Sequence, residues 1–450
     1  MVFSRFFKQK DSVPPGEQTF DDAHDAHDAH DAHDAHDAHD AHETPEDLPE
    51  ALPDHTWPER ANAVLPMGTS TGSKRVEALW GSATAQAPTH YLRASGCRLT
   101  TTDDEELIDC TMALGAVALG YADERITGHV VQAAAHGNVA GLPHALEVEV
   151  AELFCEAVPC AEKVQFLKSG AEAVAAAVRL ARTYTGRTRV VGCGYFGWLD
   201  WSSSATGVPA SVRDDYTPVP FDDIAALERA VDECGASLAA IVIEPVIERL
   251  PSPEWIARAR DLATRHGAVL VFDEMKTGFR LATGGYQEVA GVTPDLSAFG
   301  KALANGYALS AVCGNAAIMD TARNTWISST LACETTALAA ARAVLHLHAD
   351  EPVCAEIARI GGEMRTAVTN AIRASRIGGM EVAGLDPMWF FRFESPELET
   401  RFLTTAAANG VLFKRGPYNF ASLAHDTETI HEIESCTSNA LVAMRGEHGA

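Results

Sequence analysis

The 450-residue sequence predicts an α/β fold with a mainly parallel central sheet covered by helices on both faces. Three observations carry that prediction. Six short apolar runs, QFLKS, RVVGC, AAIVIEPV, AVLVFDE, SAFGK and SAVCG, alternate with stretches of helix-forming residues through the middle of the chain. Three of these regions end abruptly in a charged side chain, Glu244, Asp273 or Lys301, as a buried strand does when it delivers a residue into a pocket. Hydrophobic content of 46% and charged content of 22% lie near globular averages, in a chain long enough for more than one structural domain.

Taken in order, residues 1–55 read as a disordered acidic tail. They hold seven consecutive copies of Asp-Ala-His, from Asp22 to His42, and perfect repetition without large apolar residues cannot build a core. The period of three sets the histidines near one side of an irregular helix, so transient metal binding is one reading; expansion of a nine-base unit is the blander and preferred one. No metal site and no catalytic role are expected there. Residues 56–110 read as the N-terminal lobe of a small domain, with a hairpin around Thr101–Glu105. Residues 111–345 form the large alternating domain. Residues 346–450 return to the small domain, with two amphipathic helices around a strand, DPMWFFRFES.

The strand ends carry the chemistry. A buried lysine amine and a buried carboxylate are what pyridoxal phosphate requires: the amine condenses with its aldehyde, and the carboxylate keeps the pyridine nitrogen protonated. Lys301 and Asp273 taken alone read equally as an ion pair or as two surface charges. A third segment shifts the balance. FLKSGAEAVAAAVRLARTYTGR places Ser169 and Gly170 at the mouth of an Ala-rich helix, where backbone amides and the helix dipole favour a phosphate. Just beyond the next strand, VVGCGYFGW sets Tyr195 in a glycine-flanked turn, where its ring can stack on a flat cofactor or pack locally.

Together with AAIVIEPV, LVFDEMKTGFR, GVTPDLSAFGKALANGYALSAVCG, ISSTLACETTALAAA and GVLFKRGPYNFASLAH, these segments resemble the class III aminotransferases of pyridoxal-phosphate fold type I, especially the branch around glutamate-1-semialdehyde aminomutase. The likeness runs from about Asn62 to the C-terminus. It implies that Lys301 holds the cofactor and then moves the proton, and that Asp273 partners the ring nitrogen. By the same resemblance, Ser169, Gly170 and Ala171 form the phosphate cup, and Tyr195 stacks over the cofactor beside Phe196. Met275 packs against the opposite face, Glu244 lies beside the pocket, and Thr330 reaches the phosphate across a homodimer interface.

Two departures bear on the substrate. The family's turn often reads Tyr-His-Gly, whereas this chain has Tyr195-Phe196-Gly197 and lacks the imidazole. PMGTSTGSKRVEALW is one residue longer than the stretch in which the aminomutase holds a carboxylate with an arginine; Lys74 or Arg75 is the candidate here. GKALANGYALSAV followed by SSTLACETTALAAA is similar to relatives acting on sugars and cyclitols, including those of aminoglycoside antibiotic assembly. The expectation is therefore an aminotransferase working on an amino-sugar, keto-sugar or cyclitol. The alternative is elimination, deoxygenation, epimerisation or aminomutase chemistry with the same cofactor.

Net charge is −27 and excludes nucleic acid or an anionic membrane as natural partners. Fifteen acidic and three basic residues in the tail account for −12, leaving −15 for the body, a surface suited to a cationic substrate. No apolar run is long enough to span a membrane, the start lacks a secretory pattern, and ten scattered cysteines read as reduced thiols, all of which predicts a cytoplasmic enzyme.

Overall fold

The computed structural model describes residues 55–446. Residues 1–54, with the Asp-Ala-His repeats, and the last four residues lie outside them. Fourteen strands are present among the described residues. The first three, β1 (Tyr91–Ser95), β2 (Arg98–Thr101) and β3 (Glu106–Asp109), form an antiparallel ribbon. Its second turn closes where the Thr101 amide donates to the Glu105 carbonyl, at 2.8 Å.

Seven strands make the central sheet: β4 (Lys163–Leu167), β5 (Arg189–Cys193), β6 (Tyr216–Pro218), β7 (Leu238–Ile243), β8 (Val269–Asp273), β9 (Leu296–Phe299) and β10 (Ser310–Gly314). Their spatial order is β4-β10-β9-β8-β7-β5-β6. All adjacent pairs run parallel except those of β10, which is antiparallel to both β9 and β4. The predicted mainly parallel sheet is thus present, with one reversed strand. Alternate residues serve opposite layers, as the strand period of two demands. Ala240, Val242, Val269 and Val271 pack with the Gly170–Thr185 helix on one face. Ile241, Ile243, Leu270 and Phe272 join Trp255 and the larger core on the other. Burial on both faces is why these runs are apolar throughout and not alternating.

The C-terminal part is richer than a strand between two helices. It contains β11 (Met380–Leu385), β12 (Met388–Phe393), β13 (Val411–Leu412) and β14 (Asn419–Phe420), with helices Val353–Ser375, Pro396–Ala408 and Thr427–Gly446. β11, β12 and β14 form a three-stranded sheet, whereas β13 leaves it to pair in parallel with β3, Val411 opposite Ile108. MEVAGL escaped the sequence reading because a glycine interrupts its alternation, and a two-residue strand such as β14 has no detectable period. No helix among the described residues is long and apolar enough to cross a membrane.

Candidate active site

The C-terminal ends of β7, β8 and β9 open on a cavity of about 660 Å3. The Gly170 end of the helix, the Tyr195–Trp198 turn and the Lys414–Phe420 segment also border it. This is where a parallel sheet places ligands, because its strand ends leave side chains and helix N-termini converging there.

Asp273, the last residue of β8, is 4% exposed, and one carboxylate oxygen accepts the Met275 amide at 3.0 Å. Burial pushes this carboxyl up to about 7 and the nearby Glu244 charge adds to the push, while the Met275 amide, Lys301 and Lys276 oppose it. The neighbouring Glu274 points away from the cavity group. It is fully buried and accepts the amides of Tyr286 at 2.8 Å and Gln287 at 3.0 Å, with the Thr277 hydroxyl also donating to it, which anchors the segment after β8.

Lys301 begins a single helical turn two residues beyond β9. Its φ of 49° lies in the left-handed region, a strained conformation for a side-chain-bearing residue that needs support from its surroundings. That support comes from Asn305, whose carboxamide accepts the Ala118 and Leu119 amides at 2.9 and 3.0 Å and donates to the Gly120 carbonyl at 2.9 Å. Burial pulls the Lys301 ammonium below its usual range; Asp273 and Glu244 oppose this, while Lys276 and Arg280 add to it.

Glu244 follows β7 directly, and one of its oxygens accepts the Tyr195 amide at 3.1 Å. Gly194 makes that approach possible. Its φ is 138°, and a Cβ there would lie 2.4 Å from the Glu244 Cβ.

Ser169 caps the Gly170–Thr185 helix in a reciprocal box with Glu172, its hydroxyl donating to the Glu172 carboxylate at 2.9 Å. The first-turn amides of Gly170 and Ala171, which have no intrahelical acceptor, are the donors left for an anion. Met275 packs beneath them: a Cβ on Gly170 would lie 2.7 Å from its sulfur, and one on Gly300 2.8 Å.

The outer residues are less uniform. Tyr195 borders the cavity with 75% of its surface exposed, beside Trp198 at 74%. Phe196 also borders it, but its ring turns into the core and stacks on Trp201 with centroids 5.5 Å apart. Thr330 is exposed and does not border this cavity. Nor do Lys74 and Arg75; from that stretch Thr71 and Ser73 do instead.

Three lysines escaped the sequence reading: Lys168, Lys276 and Lys414. Lys168 pairs with Glu334 at 2.8 Å, and Lys276 pairs with Glu244 and reaches the Tyr418 hydroxyl. Lys276 lay in plain view, three residues after Asp273. Its partners, though, are distant in sequence, so only the fold reveals its position.

This donor set fits pyridoxal phosphate. Glycine-lined helix amides suit a phosphate, and a buried carboxylate and an amine border the same cavity. Comparison with known proteins agrees. Residues 81–425 match the family model Aminotransferase class-III. The glutamate-1-semialdehyde 2,1-aminomutase of Opitutus terrae is 32% identical over 420 residues, covering 85% of this chain and 97% of that protein. Its namesake from Rhodopirellula baltica is 34% identical over 335 residues, covering 70% and 75%. Among solved structures, the FumI protein of Sphingopyxis sp. MTA144, in its PLP internal aldimine form, superposes with a TM-score of 0.82 at 26% identity, covering 88% of this chain and 97% of that one. An omega-transaminase from Sphaerobacter thermophilus gives a TM-score of 0.78 at 26% identity, covering 87% and 97%.

Proposed function

The chain belongs to the class-III aminotransferases and takes pyridoxal phosphate as cofactor, and from that premise we propose that it transfers an amino group to or from an amino-sugar, keto-sugar or cyclitol in antibiotic assembly. The cofactor supplies an aldehyde that takes up amines and a protonated ring that withdraws electrons from the carbon losing a proton. The chain's own residues do the rest. Lys301 contributes the amine that holds the cofactor and, once free, accepts and returns the proton at substrate carbon. Asp273 would accept the hydrogen bond of the ring nitrogen, whose positive charge would offset the burial that raises its carboxyl. The Gly170 and Ala171 amides bind phosphate, with the Ser169 hydroxyl committed to Glu172. Tyr195 would cover the ring from the solvent side, and Met275 would fill the space below it. Thr330 acts from the partner of a homodimer.

The observation that carries the substrate reading is the cavity's lining. Thr71, Ser73, Tyr195 and Tyr307, all hydroxyl-bearing residues, border it, and no arginine does among the described residues. A substrate carboxylate is held best by a guanidinium fork, and a polyol by hydroxyls and amines. The curated relatives favour a second reading, aminomutase chemistry on glutamate-1-semialdehyde. Elimination or epimerisation would use the same residues. Comparing kcat/KM for a keto-sugar plus a nitrogen-labelled donor with that for glutamate-1-semialdehyde separates them. Label recovered in an amino-sugar supports transfer; efficient isomerisation of the semialdehyde overturns it. The same proposal divides the body into a large part, 111–345, and a small part made of 56–110 with 346 onward. The pairing of β3 with β13 supports that division.

A further inference from the structure

Lys276 stands out among the cavity lysines because three separate elements converge on it. Its side chain keeps 16% of its surface exposed and pairs with one oxygen of Glu244, whose other oxygen accepts the Tyr195 amide at 3.1 Å. The ammonium also donates to the Tyr418 hydroxyl at 3.3 Å and lies 4.5 Å from that ring's centroid. The hydroxyl in turn accepts the Glu248 amide at 2.8 Å, and the ring packs edge-on against Phe390 of the C-terminal sheet, 5.7 Å between centroids. One cation therefore joins the end of β7, the segment after β8 and the C-terminal sheet, in the wall of the cavity that Lys301 also lines.

We propose that Lys276 is a positioning residue of the reaction, clamping Glu244 and Tyr418 into the cavity wall and setting a fixed positive charge beside Lys301. This rests on the reading of Lys301 given above. The charges acting most on Lys301 are Asp273 from β8, Lys276 from the segment after it, Glu244 from the end of β7, and Arg280, while Lys168 and Lys414 border the same cavity. Of these, Asp273 and Glu244 favour the protonated amine, whereas Lys276 and Arg280 favour the neutral amine that accepts a proton. Neutralising Lys276 removes one of the two opposing cations and leaves Glu244 unpaired, so both changes favour protonated Lys301. The pH at which Lys301 loses its proton must then rise. Lys276 itself stays charged: burial pulls it down, but Glu244 and Tyr418 outweigh burial and hold it above its usual range.

The test uses the full chain without added cofactor. The pH dependence of Lys301 acylation is read by mass spectrometry of its peptide, alongside the pH profile of kcat for the loaded enzyme, which reports the substrate complex in which Lys301 has been released. Lys276→Met should move the midpoint of Lys301 reactivity and the ascending limb of the profile upward by about one pH unit. Lys276→Arg should leave both near wild type, and Lys276→Met with Glu244→Gln, which removes both charges, should move both back. Should Lys276→Met fail to fold, Lys276→Gln serves as the neutral variant. A midpoint unmoved in the neutral variant, or moved equally by arginine, overturns the role. Borohydride attachment of the cofactor in wild type tests the underlying reading separately. Attachment to another lysine sinks the reading of Lys301, whereas attachment at Lys301 with an unmoved midpoint sinks only the role of Lys276.

Discussion

The floor and the rim of the cavity are built on different principles. The floor consists of strand ends, where Asp273 and Glu244 are buried, Lys276 and Lys301 are half-buried, and the surrounding hydrogen bonds tie them down. Asp273 accepts the Met275 amide, Glu244 accepts the Tyr195 amide and the Lys276 ammonium, and Asn305 holds the Lys301 turn. The rim is made of turns, with Tyr195 and Trp198 about three-quarters exposed. A rigid sheet can fix a reacting group to a fraction of an ångström, whereas an exposed turn gains its position from whatever covers it. Floor residues should accordingly control rate and stability, and rim residues affinity.

The largest expected contrast is at Lys301. Lys301→Ala should lower turnover by about 10²–10⁴-fold and abolish borohydride attachment of the cofactor. Attachment to a different lysine would remove the floor's central member. Asp273→Asn should slow the step by about 10²–10³-fold with cofactor still bound, read by single-turnover kinetics. Near wild-type turnover would show that the buried carboxylate has no chemical part.

The same substitution bears on stability. Because the folded Asp273 carboxyl is raised to about 7, its stabilising share is present below the ordinary carboxylate range and is lost as pH rises through that value. Between pH 5 and pH 8, cofactor-free wild type should therefore lose more stability than Asp273→Asn in urea titrations. Glu274, also pushed up to about 7 by burial, should contribute equally in both proteins.

Gly194→Ala probes the floor's packing. With φ at 138° and the new Cβ 2.4 Å from that of Glu244, it should cost about 1–3 kcal/mol in urea unfolding. The smallest effects belong to the rim. Tyr195→Ala should weaken cofactor binding by about 0.5–1.5 kcal/mol, the worth of an aromatic stack, with little change in kcat once saturated. On the proposed homodimer, Thr330→Ala should weaken it by about 1 kcal/mol, a single hydrogen bond, and the protein should sediment as a dimer. A fully active monomer would remove Thr330 from the site.

The same division explains what the sequence disclosed. Floor residues were legible because a buried strand must be apolar, so the first charge after AVLVF or the lysine after SAFG stands out. The reversal of β10 was not legible, since SAVCG is buried on both faces whichever way it runs. Lys74 and Arg75 stand out in sequence by their charge, but sequence does not show which way a loop side chain points; Thr71 and Ser73 take the cavity positions. Adjacency in sequence places Phe196 with Tyr195, yet consecutive residues in that turn diverge, one to the cavity edge and one to Trp201. Tyr418 became visible only once the C-terminal segment was folded back against Lys276.

The parallel pairing of Val411 with Ile108 has a consequence for biosynthesis. The ribbon of β1 to β3 emerges from the ribosome early, but its fourth strand follows about three hundred residues later. At roughly 5–20 residues per second, the edge of β3 waits on the order of 15–60 seconds for its neighbour. During that interval its unpaired backbone groups invite other strands. A ribosome stalled before Val411 should thus yield a chain that recruits chaperones or aggregates, even with the seven central strands already synthesised.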